Sequence, residues 1–574
     1  MPSQLMSESP GFELQSQDIG ALPIVNHFLD RLKFSELLLE HLPVADVRAK
    51  LKPLEAVDVL IRNLILSREP LYCQGEWSGR KVPELLGLRP EQLALINDDR
   101  IGRALDRLFD ADRSAMLTDF VVHMIEEFGI ELEQLHNDST TVTLQGQYRE
   151  ADGRRVRGKS TIVAALGHSK DFRPDLKQLL WILTVSADGA VPVHFKVSDG
   201  NTEDSTTHIE NWNILRKLVG HSRFLYVADC KLCTRENLRY IQAQQGWFIT
   251  ILPKSRKEDG LFKDWLQTNT PDWAEVDRKP HPRLVDGPDE VLMAIESPIP
   301  DADGFRIIWV FSSQKKERDF LARKGCMERA WKDLDELRAK MEGARCRYKT
   351  KEGVAKVADE IIARAGAGRW INYQIEQVEE ETFRQEKRGR SGKNTRWRRT
   401  LKPRFRLIVT GNLEKIDYDT RCDGIFPLIT NRTTTELSQA GVLDAYKSKQ
   451  PMIEQRHDLL KNVLDVMPVF LKSISRLEAL LFVQYIALTV HALIERELRR
   501  AMASRGIAQI PLYPEKRRCG APTADRVLEI FADVQCHRLS KEGTTVQRFN
   551  PDLSYMQRRL IQLLGVSAQS FELA

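Results

Sequence analysis

Between residues 18 and 130, apolar residues recur at three- and four-residue spacing. The segments IVNHFLDRLKFSELLLEHL, LEAVDVLIRNLIL and SAMLTDFVVHMIEEFG carry this pattern. The spacing places apolar side chains on one face of a helix. In the third segment, Ser114 is the expected N-cap and Gly129 is the residue at which the helix stops. The pattern therefore predicts an N-terminal helical region.

The period changes to that of β-strands from residue 132, in LHNDSTTVTLQ. The segment LLWILTVSADGAVPVHFKVSDGN then predicts two strands joined by a tight turn at Asp188 and Gly189. STTHIENWNILRKLVG follows as a helix, and FLYVADC as a short, continuously apolar strand of the buried kind. TRENLRYIQAQQG predicts a helix with Thr234 as N-cap and Gly246 just past its end, and WFITILPK another strand. This order predicts a mixed α/β sheet, in the order of an RNase H-like fold.

The alternation of predicted strands and helices ends after residue 255. A charged helical segment is predicted at about 315–367, and the stretch 384–406 carries eleven Lys and Arg residues against one acid, Glu386. Strands return in FRLIVTGN and DGIFPLITN, followed by helices to the end of the chain. The predicted organisation has five regions: an N-terminal helical region (1–130), the first part of an RNase H-like core (131–255), an inserted domain (256–404), the second part of the core (405–465) and a C-terminal helical region (466–574).

Composition narrows the class of protein. The 574 residues allow roughly three or four domains, and 42% hydrophobic with 29% charged residues is ordinary for a globular chain. No apolar run in the sequence approaches the roughly 20 residues of a membrane span, and the polar N-terminus lacks a signal-peptide core. We therefore expect a soluble, cytoplasmic protein that does not bind membranes. A net charge of +5 does not by itself indicate a nucleic-acid partner.

Two acidic residues lie on predicted strands. Asp138 interrupts a run of strand-forming residues, so it lies either at an exposed strand end or beside a partner, because a buried carboxylate must be paired or bound to metal. Asp229 follows the apolar strand FLYVA. We place both at or near the carboxyl-terminal part of neighbouring strands, where functional sites of α/β sheets lie. Close carboxylates repel unless a cation neutralises them, and oxygen ligands suit Mg²⁺ or Mn²⁺. Glu454, on a later helix, is the candidate third carboxylate.

These motifs together resemble the DDE transposases of bacterial insertion sequences, in the superfamily with the Tyr-Arg-Glu-Lys signature. HNDSTT resembles the motif of the first Asp, FLYVADC that of the second, and SDGNTED the turn after the third strand. DGIFPLITN resembles the strand that re-enters the fold after an insertion. The resemblance covers about residues 130–465, and it implies Asp138, Asp229 and Glu454 as the catalytic, metal-binding residues.

The segment YKSKQPMIEQRHDLLK resembles the signature helix, with matches at Tyr446, Glu454 and Lys461. The gap from Tyr446 to Glu454 is one residue longer than the family pattern. Lys449 holds the position of the signature Arg counted from Tyr, and Gln450 holds that position counted back from Glu. Asp229 and Glu454 are 225 residues apart, which is too far for one crossover and implies a large insertion. This variant resembles the large-insertion subgroup of the superfamily.

The resemblance implies a DNA transposase that binds the inverted-repeat ends of an insertion sequence, cleaves them and joins them to target DNA. The three carboxylates would hold two Mg²⁺ or Mn²⁺ ions for in-line displacement at phosphorus. Tyr446, Lys449 and Lys461 would contact DNA near the scissile phosphate. Double-stranded DNA is the expected partner, and the N-terminal helical region (1–130) is the expected reader of the terminal repeats. A homodimer holding two paired ends is implied by the resemblance alone.

Several alternatives stay open. The basic stretch is either a solvated loop or a phosphate-binding surface, in which case Arg396, Arg398 and Arg399 contact DNA. Cys230 and Cys233 are ordinary thiols unless a second pair or histidines join them. For the whole chain, the alternatives to an active transposase are a transposase-derived DNA-binding protein without catalytic activity and a metal-dependent nuclease that only hydrolyses.

Some nearby residues are expected to serve structure alone. His457 is expected to be a surface or packing residue rather than a metal ligand. Asp199 and Asp423 are expected in turns and Glu210 on a solvated helix face. Trp181, Trp212 and Trp247 fall in apolar patterns and are expected in the core; these three tryptophans are not expected to stack on bases.

Overall fold

A computed structural model describes residues 12–44, 48–146, 148–167, 170, 173–280, 287–343, 346–463, 471, 473–541 and 544–572. The first part of the chain forms β1 (Phe12–Asp18), α1 (Leu22–Arg31), α2 (Phe34–His41), α3 (Pro53–Leu66), α4 (Gln74–Gly79), α5 (Asp98–Asp110), α6 (Arg113–Phe128), β2 (Gln134–Leu144), β3 (Arg155–Val156), β4 (Lys159–Ser160), β5 (Lys177–Ser186), β6 (Pro192–Ser198), α7 (His208–Val219), β7 (Leu225–Ala228), α8 (Arg235–Ala243) and β8 (Trp247–Ile251).

The middle of the chain forms α9 (Lys257–Thr268), β9 (Ala274–Lys279), β10 (Glu290–Glu296), β11 (Arg306–Ser312), α10 (Ser313–Glu342), α11 (Lys351–Ala365), β12 (Ile371–Gln385), β13 (Trp397–Gly411), α12 (Leu413–Cys422), β14 (Ile425–Thr430) and α13 (Gln439–Leu443). The last part forms α14 (Gln450–Asp458), α15 (Ile474–Ser504), α16 (Ala524–Glu529), β15 (Gln535–Lys541), β16 (Thr544–Phe549) and α17 (Tyr555–Leu564).

The chain divides into two compact units. Unit 1 comprises residues 1–250 and 444–574, and unit 2 comprises residues 251–443. The sequence placed the end of the insertion at residue 404, whereas the structure groups 405–443 with unit 2. The reason is strand pairing within that unit: β13 pairs with β12, and β14 pairs with β11.

In unit 1 the strands lie in the order β6-β5-β2-β7-β8. The first three are antiparallel neighbours, and β2, β7 and β8 run parallel. The predicted mixed α/β fold with an RNase H-like strand order is therefore confirmed. The predicted hairpin is present between β5 and β6, where Gly189 has a positive φ of 80° and its α-carbon faces the side chain of Arg496. A side chain there would be strained and would collide with that arginine.

The helix boundaries of unit 1 agree with the sequence in part. Thr234 caps α8 through its side chain, and Gly129 ends α6 in the left-handed conformation. The N-cap of α6 is Asp112 instead of Ser114, because its carboxylate accepts from two successive backbone N–H groups. After α8 the left-handed residue is Gln245. Gly246 instead lets the indole of Trp212 approach the backbone, where a β-carbon would lie 2.5 Å from the ring.

A second, three-stranded sheet of order β1-β15-β16 lies in the terminal regions that the sequence predicts to be helical. β1 and β15 pair antiparallel although they are more than 500 residues apart in the chain. The helical prediction is therefore wrong for these segments, whose short alternating patterns were not recognised. The rest of both regions is mainly helical.

The long helix α15 forms the core of unit 1. By length and composition alone it could cross a membrane, but its most apolar window is completely buried within the protein. A helix that is apolar on all sides is either a membrane span or the core helix of a large protein, and burial indicates the second. Tyr485 on this helix donates a hydrogen bond to the Pro192 carbonyl of β6 at 3.1 Å, which ties the helix to the sheet.

Unit 2 has an antiparallel sheet of order β14-β11-β10-β9 and a separate two-stranded ribbon of β12 and β13. Each strand of the ribbon has 15 residues, and together they pair over their whole length. The base of the ribbon packs on α10 and α11 through a buried apolar cluster: Ala330, Leu334, Leu337, Met341, Val354, Ala358, Ile361, Ile362, Ile371 and Leu407. The charged segment predicted at 315–367 is thus two helices that form the support of the ribbon.

Candidate active site

Asp138 and Asp229 lie side by side at the point of the unit 1 sheet where β7 ends. The parallel pairing of β2 with β7 ends with Asn137 opposite Ala228, so the next residue on each chain is one of the two aspartates. Paired strands lie about 4.8 Å apart, which keeps the two backbones close. The sequence placed Asp138 near the carboxyl-terminal part of its strand, but it is the fifth of the eleven residues of β2. It lies where β7 stops, and β2 continues past it.

Burial dominates the electrostatics of Asp138 and raises the pKa of its carboxyl group to about 7. Lys170 opposes this rise in pKa, while the carboxylates of Asp229 and Glu454 add to it. One carboxylate oxygen accepts a hydrogen bond from the backbone N–H of Ser139 at 2.8 Å. A carboxyl group so placed binds a proton or a cation near neutral pH, because its neighbours disfavour an uncompensated negative charge.

Asp229 combines a structural and an electrostatic role. Its side chain caps the short 3₁₀ turn Cys230–Leu232 by accepting from the backbone N–H of Lys231 at 3.0 Å. Burial raises the pKa of this carboxyl group, the capping bond and Lys170 lower it, and Asp204 raises it. The cap orients the carboxylate and leaves oxygen lone pairs for another ligand.

Glu454 lies on α14 and its side chain is exposed. The helix is fixed two residues further on by Arg456, whose guanidinium donates to the carbonyls of Ala190 and Gly189 at 3.0 and 3.1 Å. Arg456 also forms a buried ion pair with Glu495 at 2.8 Å. Because α14 is anchored to the β5–β6 turn in this way, Glu454 comes within electrostatic reach of Asp138.

Tyr446 lies among the three carboxylates. Burial raises the pKa of its phenol first, and Asp229, Asp138 and Glu454 raise it further. Tyr446 belongs to a π-helical turn, Asp444–Ser448, which precedes α14. A π turn takes one more residue per turn than an α-helix, and it therefore accommodates the extra residue between Tyr446 and Glu454 that the sequence showed.

Two lysines of the predicted signature lie close to the same site. Lys449, between the π turn and α14, is half-buried and lowers the pKa of His136 on β2. Lys461 lies in a second π turn, Leu459–Val463, and lowers the pKa of His457. The single long helix predicted here is therefore interrupted on both sides of α14. Gln450 also contributes, since its side chain bonds the His136 ring at 2.8 Å and holds the start of α14 against β2.

His457 is buried and faces Asp138, with 3.6 Å between its Nε2 and the Asp138 Oδ2. Burial lowers the pKa of the ring to about 3, and Lys170 and Lys461 lower it further, so the imidazole is neutral. Neither ring nitrogen has a hydrogen-bond partner among the residues the structure describes. The sequence predicted a surface or packing residue; the structure adds an unsatisfied nitrogen beside the aspartate.

Lys170, Ser139 and Asp204 were missed by the sequence analysis. The Lys170 ammonium donates to the Ser139 carbonyl, lies 2.9 Å from the Ser139 hydroxyl, and forms an ion pair with Asp204 at 3.1 Å. The Ser139 hydroxyl donates to the same Asp204 at 2.7 Å. Lys170 is therefore the cation that balances this acidic edge. No local pattern marks it, since it lies in a loop between strands.

These residues can hold a metal ion only if their donor atoms are of a suitable type and several of them point at one position. The donors are suitable, because carboxylate oxygens bind Mg²⁺ and Mn²⁺ and the unpartnered His457 nitrogens mark an unsatisfied polar site. Within the described ranges, however, no three His, Cys, Asp or Glu side chains converge closely enough to hold a metal ion. The donors are thus assembled around one point of the sheet but are not in coordinating positions.

The predicted DNA-binding arginines lie in unit 2, at the tip of the β12–β13 ribbon. The stretch predicted as a solvated loop or a phosphate-binding surface is therefore a strand and a turn. Arg398 lies directly opposite Arg384, so two like charges share one cross-strand position. Arg399 forms an ion pair with Glu381, and the Arg396 carbonyl closes the turn by accepting from Glu386 at 3.1 Å.

Most residues expected to be structural are so. Trp181 and Trp212 are fully buried, whereas Trp247 is half-buried. Glu210 is exposed and forms an ion pair with Lys196, and Asp199 accepts from the Val163 N–H in a turn. Asp423 also lies in a turn. Cys230 and Cys233 form no disulfide, and burial chiefly raises the pKa of the Cys230 thiol, which disfavours the thiolate.

Asp423 lies in a turn directly after α12, as predicted, and it is also buried in unit 2, where it forms a two-bond ion pair with Arg323. The guanidinium donates to the two carboxylate oxygens at 2.8 and 2.6 Å. Both side chains are only 6% exposed. The sequence did not indicate this ion pair, because the partner lies 100 residues away in the chain, on α10.

The chain was compared with known protein families, sequences and solved structures. Residues 14–122 match a family described as a domain of unknown function, DUF4277. No curated protein sequence matches the chain. The cryo-EM structure of the piggyBac transposase synaptic complex with hairpin DNA is similar at 8% identity and a TM-score of 0.34, covering 89% of this chain and 78% of that one. The Mos1 transposase paired-end complex with the left transposon end is similar at 9% identity and a TM-score of 0.14, covering 38% of this chain and 64% of that one.

Proposed function

We propose that this chain is a DNA transposase of the DDE type from a bacterial insertion sequence. It would bind the inverted-repeat ends of the element, cleave them and join them to target DNA. The main support is the strand register that sets Asp138 beside Asp229, with Glu454 in electrostatic reach of Asp138 and Tyr446 in reach of all three. These are the residues that the sequence motifs single out, and they come from distant parts of the chain.

Asp138, Asp229 and Glu454 would hold two divalent ions, Mg²⁺ or Mn²⁺. When bound, such ions activate the attacking water or 3′-hydroxyl and stabilise the leaving oxygen. Because Glu454 is exposed and the two aspartates are fixed by β2 and by the cap of a turn, Glu454 is the ligand that has to turn inward. The neutral His457 ring beside Asp138 would then lie at the edge of the metal site.

The surrounding residues would bind and orient the DNA. Tyr446 keeps its proton, since its pKa is raised, and can donate a hydrogen bond to a phosphate oxygen. Lys449 and Lys461 lie on either side of α14 and would contact phosphates without reading sequence. Lys170 would continue to balance Asp204 and the Ser139 backbone while the carboxylates hold cations.

The ligand would be double-stranded DNA, both the terminal inverted repeats and the target. Pairing of two ends implies a homodimer on DNA, and the protein would act at the nucleoid in the bacterial cytoplasm. The exposed arginines at the tip of the β12–β13 ribbon support contact with the DNA backbone, because two arginines opposite each other favour a bound anion.

The test is strand cleavage of a labelled duplex that carries the element's own end, in Mg²⁺ or in EDTA. We expect site-specific nicking by the native chain that is lost in EDTA and in Glu454→Gln. Asp458→Asn is the matched control, because it removes an exposed carboxylate from the same helix four residues away; it should cleave like the native chain. Cleavage by Glu454→Gln at the native rate would contradict the assignment.

One observation favours a second candidate function. The carboxylates do not converge on a metal position within the described ranges, and the pKa of Asp138 is raised to about 7. A transposase-derived DNA-binding protein without catalysis would tolerate this arrangement. Tight binding of the end duplex with no Mg²⁺-dependent nicking by the native chain would establish that alternative.

A further inference from the structure

A strongly basic cleft lies in the N-terminal part of unit 1 and is lined by none of the candidate active-site residues. It has a volume of about 370 Å³ and is formed by α5, by the start of α3 and by the chain that precedes α3. Six cationic side chains line it: Arg48, Lys50, Lys52, Arg100, Arg103 and Arg107. Among the described residues that line the cleft, none is acidic.

The arrangement follows from helical periodicity. Arg100, Arg103 and Arg107 are three and four residues apart on α5, so they project from one face of the helix. The opposite face carries Ile101, Leu105 and other apolar residues that are buried in unit 1. The arginine stripe is therefore held in place by a rigid, well-packed helix.

The acidic residues of α5 do not neutralise the whole stripe, because arginines from other elements hold two of them. Arg476 on α15 binds Asp106 through two hydrogen bonds of 3.0 and 2.7 Å. Arg157 binds Asp110 in the same manner at 2.6 and 2.5 Å. Asp99 pairs with Arg103.

Four of the six cations therefore keep a net positive charge in the cleft. Within the described part of the chain, no ion pair with a carboxylate is formed by four of them: Arg100, Arg107, Lys50 and Lys52. Like charges that converge on one concave surface repel one another, and a bound anion removes that repulsion.

The floor of the cleft is apolar. Leu51, Ala56 and Ala104 line it and are buried to more than nine-tenths. Small side chains at the centre, with long cationic side chains at the rim, leave room for a chain of anionic groups to lie along α5. From Arg100 to Arg107 the stripe covers roughly 10 Å along the helix axis. Successive phosphates of one DNA strand are spaced roughly 3.4 Å along the duplex axis, so the stripe is too long for a single phosphate ion and suits two or three successive ones.

We infer that this cleft binds the sugar-phosphate backbone of duplex DNA and thereby gives a function to the region that matches a domain of unknown function. The inference rests on the proposed function only for the choice of DNA as the polyanion. Because arginine and lysine rims contact phosphates, the cleft contributes affinity and orientation without base recognition. It therefore adds to DNA binding independently of which segment reads the terminal repeat.

The experiment is fluorescence anisotropy with the full chain in EDTA, using one duplex with the element end and one of unrelated sequence. Arg100→Gln with Arg107→Gln should weaken binding to both duplexes by about tenfold or more and lower the salt slope by about two. Arg80→Gln with Arg89→Gln is the matched control: it removes the same charge from the same region, but from arginines that pair with Glu76 and Glu91. The control should change affinity and salt slope little.

Three outcomes would overturn the inference. The cleft variant could bind both duplexes like the control, or it could lose affinity for the end duplex alone, which would indicate base recognition. Inorganic phosphate, compared with chloride at equal ionic strength, could displace the duplex and raise the melting temperature of the native chain but not of the variant, which would indicate a small-anion site. Equal circular dichroism and melting temperatures of the free proteins show that the substitutions leave the fold intact.

The inference and the proposed function fail separately. Native cleavage in Mg²⁺ together with unchanged DNA binding by the cleft variant would remove the inference and keep the transposase. Loss of binding in the cleft variant, with no Mg²⁺-dependent cleavage by the native chain, would keep the cleft and remove the transposase.

Discussion

The carboxylates of unit 1 and the ribbon arginines of unit 2 are both close sets of like charge, but the first set is largely buried and the second is exposed. Asp138 and Asp229 adjoin in the sheet, and burial raises the pKa of both. Repulsion by Asp229 and Glu454 adds to the rise for Asp138, and repulsion by Asp204 adds to the rise for Asp229. Arg384 and Arg398 face each other at the ribbon tip in water, where repulsion is screened. The buried pair needs a small cation, whereas the exposed pair suits a polyanion. The difference in burial thus indicates the ligand in each region.

Elsewhere on the outer half of the ribbon, opposite charges meet. Arg404 pairs with Glu380 at 2.6 Å, and Arg399 pairs with Glu381. The cross-strand pair of Arg384 and Arg398 at the tip keeps its positive charge unbalanced. A run of eleven basic residues therefore divides into a part that stabilises the ribbon and a part that is available for a ligand.

The largest expected effect is on the buried like-charge pair. Asp138→Asn or Asp229→Asn should reduce Mg²⁺-dependent strand cleavage by about 10⁴-fold or more, since a bound ion is worth several kcal/mol to the transition state. In metal-free buffer Asp138→Asn should melt at a higher temperature than the native chain, because the repulsion is removed. Gel-based cleavage and differential scanning fluorimetry measure the two effects, and a variant that cleaves normally would refute the role of the pair.

The buried opposite-charge pair of unit 2 is the contrasting case. Arg323→Met should lower the free energy of unfolding by about 3–5 kcal/mol, because Asp423 would remain buried without a partner. Arg404→Met breaks an exposed pair and should cost about 1 kcal/mol or less. Urea unfolding of the full chain compares the two. Equal losses would show that burial does not control the energy of these pairs.

His491 is a buried titratable group that stays neutral, in contrast to the buried charged pairs. Burial lowers the pKa of His491 on α15 to about 4; Arg68 and Arg456 lower it, while Asp525 and Glu495 raise it. The folded-state pKa is below the ordinary value of 6.5, so the unfolded chain binds the proton more readily between those values. The stability is complete above pH 6.5 and falls toward pH 4, by about 3 kcal/mol at most.

His491→Leu should remove this part of the acid sensitivity. Unfolding in urea at pH 7 and pH 4.5 measures the difference between the two chains. His41→Leu is the control, because His41 forms an ion pair with Asp119 nearer the surface. A native-like loss of stability at pH 4.5 in His491→Leu would mean that other groups control acid unfolding.

The smallest expected effect is at the ribbon tip. Arg384→Gln with Arg398→Gln should weaken DNA binding by about tenfold and lower its salt slope by about two. Arg399→Gln should have a smaller effect, because Arg399 is already paired with Glu381. Anisotropy over a salt series separates the two. An equal loss of affinity in both variants would show that the cross-strand pairing does not decide which arginines bind DNA.

The order of the unit 1 sheet and the main residues of the candidate site could be predicted from the sequence, because local pattern and chemistry agree there. The period of the strands and the turn at Asp188 gave the order of the sheet, and that order brings Asp138 beside Asp229. Glu454 was found because its motif has a recognisable spacing. Arg396, Arg398 and Arg399 were expected in a basic surface, and the structure shows that only some of these charges are unpaired.

The remainder depends on contacts between distant residues, which no local pattern records. The π turns around α14 form where Gln450 and Arg456 bind the sheet and the β5–β6 turn, so propensity alone predicts one continuous helix. Lys170, in a loop, forms an ion pair with Asp204, and Asp423 forms one with Arg323, which lies 100 residues away in the chain. β1 pairs with β15 from the opposite end of the chain. Each of these is decided by tertiary structure.

The central claim is that the Asp138–Asp229 edge binds divalent metal, and binding of Mn²⁺ followed by electron paramagnetic resonance tests it most directly. The account predicts that the native chain with end DNA removes free Mn²⁺ signal with two ions bound per chain. It predicts that Asp229→Asn loses this binding and that Glu210→Gln, which removes a carboxylate from a solvated helix face, retains it. Equal Mn²⁺ binding by the native chain and Asp229→Asn would contradict the account.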